Sequence, residues 1–237
     1  MSRFHVITLD LDNTLWDLDP ILWQAEDTIY ELLQQRCPEV TQRFDSTSLR
    51  NERIKFWQAN AELKHQISLM RQRSLAHVIE GCGYSAEQAA NISAEAFELF
   101  LTLRHQITLY DHALPLLTQL SKRYTLGALS NGNADLSRLG LNDFFQFHFS
   151  AEQLNASKPD PKIFHAAIEH SGVRAEQILH IGDHPKEDIA GAQATGMATI
   201  WFNNRGKSWP EDLARADAEA QCLSDIPAII DQLNQSK

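Results

Sequence analysis

The strongest constraint on the fold is a long interruption between the β-type segments of the chain. Phe4-His5-Val6-Ile7-Thr8-Leu9 is a short β-type run that ends in acid at Asp10. From Pro20 to about His105 only helical patterning follows. Ile21, Leu22, Ala25, Ile29, Leu32 and Leu33 recur at helical spacing, as do Ala89, Ile92, Ala96, Phe97, Phe100 and Leu101. Cys37-Pro38 and Gly81-Cys82-Gly83 punctuate this block. After Leu109 the pattern alternates. Tyr124–Leu129, the weaker Phe145–Phe149, Ile178–Ile181 and Ala198–Phe202 are expected strands. Helices are expected near His112–Lys122, Pro161–Ser171, Asp188–Thr195 and Ser224–Leu233.

Short apolar strands alternating with helices imply a parallel sheet covered on both faces. Right-handed crossovers then leave every strand pointing the same way. The helical interruption far exceeds a loop. The expected fold is therefore α/β: a doubly wound, mostly parallel sheet from residues 1–15 and 106–237, with an all-helical domain, residues 16–105, inserted after the first strand.

Open parallel sheets bind ligands beyond the carboxyl ends of their strands. The residues at those ends are Asp10-Leu11-Asp12-Asn13-Thr14, Ser130-Asn131-Gly132 and Gly182-Asp183-His184-Pro185-Lys186-Glu187-Asp188. Ser157-Lys158-Pro159 lies between the third expected strand and the next helix. Each segment alone has a duller explanation. Asp12 or Asn13 could cap a helix, Asn131-Gly132 could form a turn, and Ser157 with Pro159 and Pro161 could open a helix. Four such segments in order, each at a strand end, make coincidence a poor account.

Clustered carboxylates repel, so one must bind a proton or a cation must sit among them. Asp10, Asp12 and Asp183 offer hard oxygen ligands, which suit Mg²⁺ better than zinc. A lysine and a hydroxyl beside them would cradle a phosphoryl group. An aspartate nucleophile would split phosphomonoester hydrolysis into two displacements. A second aspartate two residues along, on the same side of an extended strand, could protonate the leaving oxygen and later activate water.

Composition narrows the partners. The chain has 31 acidic and 21 basic side chains among 237 residues, a formal charge of −10. That disfavours nucleic acid, whose phosphates reward a basic face. No apolar run reaches the roughly 18 residues of a membrane span, and no signal-peptide pattern opens the chain. A cytoplasmic protein, monomeric or homodimeric, is expected. Cys37, Cys82 and Cys222 lie far apart without a CxxC pair, so neither a zinc site nor a disulfide framework is implied. Gly81-x-Gly83 falls in the helical block, not after a strand, and no serine-hydrolase elbow or HExxH pair occurs. His184 is the one histidine beside a motif and reads as an ordinary loop residue.

Asp10-Leu11-Asp12-Asn13-Thr14-Leu15, Ser130-Asn131-Gly132, Ser157-Lys158-Pro159 and Gly182-Asp183…Asp188 resemble the four motifs of the haloacid dehalogenase (HAD) superfamily. The resemblance spans nearly the whole chain, including a helical C1-type cap after the first motif. It implies Asp10 as nucleophile and Mg²⁺ ligand, and Asp12 as general acid/base ligating Mg²⁺ through its carbonyl. Ser130 and the Asn131 amide would bind the phosphoryl group. Lys158 would neutralise charge and hold Asp10, Asp183 would complete the protein ligands of the metal, and Asp188 would support the metal or Lys158 from behind.

True haloacid dehalogenases resemble this chain in fold but lack the second motif-one aspartate and need no metal. Asp12 therefore points to a phosphatase of a small phosphorylated metabolite. Phosphotransferases, phosphomutases and dehalogenases of the superfamily are the alternatives, and a phosphoryl-accepting receiver or a silent binding module the readings from other classes. Trp16-Asp17 and Arg71-Gln72-Arg73 look most like bacterial flavin-pathway and nucleotide phosphatases, which act on a flavin precursor phosphate, FMN or nucleotides. The cap would set specificity. Arg71 and Arg73 are its candidate substrate contacts, against the alternative of a solvated helix face. Trp16 and Trp57 could stack on a ring or pack in a core, and Trp16–Pro20 with Arg104–Leu109 would be the hinges.

Overall fold

The computed structural model describes residues 2–235. The chain divides into two compact units, Met1–Asp17 with Thr108–Lys237, and Leu18–Ile107. It opens with β1 (Val6–Leu9), in which all four residues are buried. A strand buried on both faces needs an unbroken apolar run, and Val6-Ile7-Thr8-Leu9 comes close to one.

The second unit is wholly helical: α1 (Asp19–Arg36), α2 (Pro38–Arg43), α3 (Ser46–Ala59), α4 (Ile67–Gly81) and α5 (Ala86–Arg104). Local chemistry sets the boundaries. Pro20 sits in the first turn of α1, where its missing N–H costs nothing. The Asp45 side chain accepts from the Ser48 N–H to start α3, and Ser85 and Gln88 form a capping box at α5. Ile29, Leu33, Val78, Ile79, Ile92, Phe97 and Phe100 share one buried cluster. The spacing read in the sequence is thus the buried face of α1 and α5.

The first unit resumes with α6 (Ala113–Leu120), β2 (Thr125–Ser130), β3 (Phe147–Ser150), α7 (Ala151–Leu154), α8 (Pro161–Ser171) and β4 (Ile178–Gly182). A π-helical turn, Pro185–Ala190, leads into the short α9 (Gly191–Gln193), followed by β5 (Ala198–Phe202), β6 (Ala218–Ala220) and α10 (Ile226–Gln235). The six strands form one sheet in the order β3-β2-β1-β4-β5-β6, and every pairing is parallel. Strand succession reverses around β1, which lies between β2 and β4. Leu9 is in register with Ala128 on one side and Ile181 on the other. The expected ligand crevice of such a sheet lies just beyond these residues.

Several boundaries differ from the sequence expectation. β3 begins at Phe147 because Asn142–Phe144 is a 3₁₀ turn and the Phe145 N–H is bonded to Asn142. The helix expected over Asp188–Thr195 begins earlier, at Pro185, and changes from π to α geometry at Gly191. β6 went unread: it has three residues, of which only Ala220 is buried, so it carries no apolar run. Among the described residues no helix is long and apolar enough to cross a membrane.

Candidate active site

Asp10 follows β1 directly, and its N–H bonds the Ile181 carbonyl at 2.9 Å, so the sheet itself fixes its backbone. The strand has already ended at Leu9. Asp12 is therefore placed by a turn and not by strand alternation. Asn13 takes a φ of 63°, which asparagine tolerates better than most residues. Its N–H reaches the Trp16 carbonyl at 2.7 Å. The turn brings two side chains back onto the aspartates: the Thr14 hydroxyl donates to Asp10 Oδ2 at 3.1 Å, and the Trp16 indole N–H donates to Asp12 Oδ1 at 2.8 Å. Trp16 is fully buried, so it is not a stacking surface for a ligand.

Lys158 is 3% exposed. Its ammonium donates to Asp10 Oδ1 at 2.5 Å, Asp188 Oδ1 at 2.6 Å and the Leu129 carbonyl at 2.7 Å, which uses all three of its protons. The Asn131 side chain holds the Lys158 backbone from both sides. It accepts from the Lys158 N–H at 2.7 Å, donates to the Lys158 carbonyl at 3.1 Å, and also donates to Glu187 at 2.8 Å. Ser130 is buried at the end of β2, where its hydroxyl accepts the Gly132 N–H at 3.0 Å.

Asp188 Oδ2 accepts the His184 N–H at 2.9 Å. Behind it, buried His180 lies 3.4 Å from Oδ1 and 2.9 Å from the Thr8 hydroxyl. Gly182 makes this packing fit, since a Cβ there would stand 2.3 Å from the Asp188 carboxyl carbon. The Asp183 carbonyl accepts the Trp201 indole N–H at 2.9 Å, and its carboxylate lies 3.5 Å from the Lys207 ammonium.

The electrostatics follow from this packing. Burial raises the Asp10 carboxyl well above its ordinary value; Lys158 works against that, while Asp188 and Asp183 add to it. Burial also raises Asp183, and Asp188 pushes the same way. At Asp188 burial is outweighed by Lys158 and His180, which hold the carboxyl below its usual range. Burial opposes the Lys158 charge too, but Asp10 and Asp188 more than offset it and raise the ammonium. Asp10, Asp183 and Asp188 bring ligand oxygens within 4.8 Å of one another. Three carboxylates against the Lys158 and Lys207 ammonium groups leave excess negative charge, and an all-oxygen donor set fits a hard divalent cation.

Of the residues singled out in the sequence, Asp10, Lys158, Asp183 and Asp188 converge, with Ser130 and Asn131 at the adjoining strand end. The Asp12 carboxylate is held by Trp16. Arg71 and Arg73 belong to the helical unit, where Arg71 is ion-paired to Glu26 at 2.7 Å and Arg73 is exposed. Sequence reasoning missed the roles of Thr14, Gly182, His180 and Lys207. His180 carried no usable signal, because a histidine inside an apolar strand reads as an interruption. Thr14 did carry one, lying four residues after Asp10.

Fold and site together define a class: a doubly wound α/β hydrolase with its acids at the strand ends. The family follows from comparison. The profile of haloacid dehalogenase-like hydrolases matches residues 4–196, and the chain belongs to that family. It is 31% identical over 202 residues to the 5-amino-6-(5-phospho-D-ribitylamino)uracil phosphatase YigB of Escherichia coli, covering 85% of this chain and 84% of that one. It is 28% identical to a glyceraldehyde 3-phosphate phosphatase of Pyrococcus furiosus, covering 99% and 95%. The crystal structure of 2-haloacid dehalogenase from Pseudomonas syringae pv. tomato DC3000 superposes with a TM-score of 0.90 at 40% identity, covering 97% and 99%.

Proposed function

We propose that the protein is a Mg²⁺-dependent phosphatase of small phosphomonoesters that works through an aspartyl-phosphate on Asp10. The observation that carries this reading is the Asp10–Lys158–Asp188 chain beside Asp183, with Asp12 as a further acid two residues from the nucleophile. Phosphomonoester hydrolysis asks for acceleration near ~10²¹-fold, about 29 kcal/mol. One donor typically supplies roughly 2.7–4 kcal/mol, so a composite site is required.

Both Asp10 oxygens are already oriented, Oδ1 by Lys158 and Oδ2 by Thr14. That fixed geometry lowers the entropic cost of attack on phosphorus. Lys158 neutralises charge as it builds. The Ser130 hydroxyl and the Asn131 backbone N–H bind phosphoryl oxygens, since the Asn131 side chain is committed to Lys158 and Glu187. Asp12 protonates the departing alkoxide and then takes a proton from the water that hydrolyses the acyl-phosphate. Asp10, Asp183 and the Asp12 carbonyl would hold Mg²⁺, which supplies neutralisation of phosphoryl charge. The relatives with phosphatase names favour a phosphorylated metabolite, and among such substrates we favour a flavin precursor phosphate, FMN or a nucleotide.

The Pseudomonas syringae relative supports a second reading, 2-haloacid dehalogenation. A halide departs without a proton, so that chemistry has no use for Asp12. One panel separates the two: phosphate release from small phosphomonoesters, and halide release from 2-haloacids, each with Mg²⁺ and with EDTA. Mg²⁺-dependent phosphate release that vanishes in Asp10→Asn is expected. Metal-independent halide release with inert phosphates would replace the proposal by the second reading.

A further inference from the structure

The helical unit buries more positive than negative charge. Arg53 on α3 and Arg71 on α4 both bind Glu26 on α1, at 2.6 and 2.7 Å. Arg53 is 5% exposed, and the Arg71 guanidinium lies 3.8 Å from the centre of the Phe100 ring. Two guanidinium groups thus share a single carboxylate, leaving one formal positive charge over. Each guanidinium also keeps a buried Nε–H that has no hydrogen-bond partner. Burial and then the neighbouring Arg53 pull the Arg71 guanidinium down to about 10, with Glu26 working the other way and buried Arg104 adding to the repulsion. The repulsion that Arg53 and Arg104 exert on Arg71 is therefore only partly relieved by Glu26.

Both arginines line a small cavity whose other walls are Ile29, Leu75, Ala96, Phe97 and Ser93, and the Ser93 hydroxyl already donates to the Ala90 carbonyl at 3.0 Å. Its volume is about 10 Å³, room for about one atom-sized occupant. We propose that this cavity is a halide site, in which a chloride ion accepts the Nε–H groups of Arg53 and Arg71 and cancels the surplus charge of the arginine–glutamate cluster. Size excludes phosphate, sulfate and carboxylate groups. A water molecule would satisfy the donors but leave the charge, and a buried charge without a counter-charge is costly. Walls that are apolar apart from Ser93 and the arginines also suit a weakly hydrated halide better than a strongly hydrated oxyanion. The site is independent of the catalytic reading of Asp10, and either can fail without the other.

The test is thermal unfolding of the intact protein in chloride against gluconate at constant ionic strength, with bromide-soaked crystals as a direct readout. A ligand that binds only the folded state raises the midpoint, and at ten times its Kd a rise of about 3 °C is expected. Arg53→Met removes one donor and the surplus charge and should abolish the chloride-specific rise. Glu26→Gln enlarges the surplus and should tighten chloride at least tenfold, even if the variant is less stable overall. Should Arg53→Met fail to fold, Arg53→Lys keeps the charge without the Nε–H, and the bromide peak in wild-type crystals decides. Equal midpoints in chloride and gluconate overturn the proposal. So does an unchanged chloride response in a folded Arg53 variant, or bromide density away from the two Nε atoms.

Discussion

The indole N–H of Trp16 donates to Asp12 Oδ1 at 2.8 Å from a fully buried ring. The turn between them is closed by the Asn13 N–H on the Trp16 carbonyl at 2.7 Å, and the Tyr110 N–H bonds the Leu15 carbonyl at 2.8 Å. Trp16 therefore positions the proposed general acid from a rigid base. Trp16→Phe keeps an aromatic ring and removes the donor. General acid catalysis contributes typically 10²–10⁴-fold, and only where the leaving group needs a proton. Turnover of alkyl phosphates should fall by roughly 10–100-fold, while p-nitrophenyl phosphate, whose phenolate leaves unaided, should change little. An equal loss on both substrates would mean that Trp16 acts on something other than Asp12.

Gly182 lies under the Asp188 carboxyl, and a Cβ there would meet its carbon at 2.3 Å and its Oδ2 at 2.4 Å. Asp188 cannot retreat without releasing Lys158 Nζ or the His184 N–H. Gly182→Ala should therefore cost about 1–3 kcal/mol of stability through overpacking. It should also reduce kcat more than it raises KM, since the displaced group acts on Lys158, the partner of the proposed nucleophile. Chemical denaturation and steady-state kinetics on one preparation check both. Wild-type kcat in a destabilised variant would show that Asp188 does not set the position of Lys158.

Much of this arrangement was legible in the sequence, for identifiable reasons. β1, β4 and β5 are buried on both faces, so each reads as a short apolar run, and β1 and β4 are followed directly by polar site residues. The helical unit showed because α1 and α5 are long enough for several turns of spacing. What stayed hidden depends on contacts between distant segments. Thr8 and His180 pair across adjacent strands at 2.9 Å, and neither residue announces that register. Asn131 read as a turn former or, through its amide, a phosphate ligand, and nothing local showed that its side chain also clamps a lysine 27 residues away. Arg71 read as a surface or substrate-facing charge, because a partner 45 residues earlier at Glu26 is invisible to local pattern.

The Asn131 clamp has its own consequence. Asn131→Ala removes an acceptor from the Lys158 N–H and a donor from its carbonyl. Leaving buried backbone groups unsatisfied costs roughly 1–3 kcal/mol. Because Lys158 then loses its fixed backbone, the activity loss should be about 10–100-fold, as for other supporting residues behind a site. Asn131→Asp restores an acceptor for the N–H but not a donor for the carbonyl, and it sets a charge beside Glu187. It should recover little. A variant with full activity and unchanged stability would show that Lys158 is held without Asn131.

Two histidines, half-buried His148 and buried His180, give the protein an acid limb of stability. Burial lowers His148 on β3 and His180 on β4 from the ordinary 6.5. Their folded forms therefore bind protons less readily than the unfolded chain. Below about 6.5 the unfolded state takes up more protons, so stability is complete above that pH and is lost as pH falls beneath it. Each group can add a slope of up to about 1.4 kcal/mol per pH unit. His148 is the cleaner probe, because its Nε2 is buried without a hydrogen-bond partner, whereas His180 is tied to Thr8 and Asp188. His148→Leu should flatten the fall in unfolding free energy between pH 6.5 and 5 by up to about one proton's worth, while leaving neutral-pH stability equal or higher. Denaturant titrations across that range measure it, and parallel slopes for variant and wild type would remove His148 from the account of acid sensitivity.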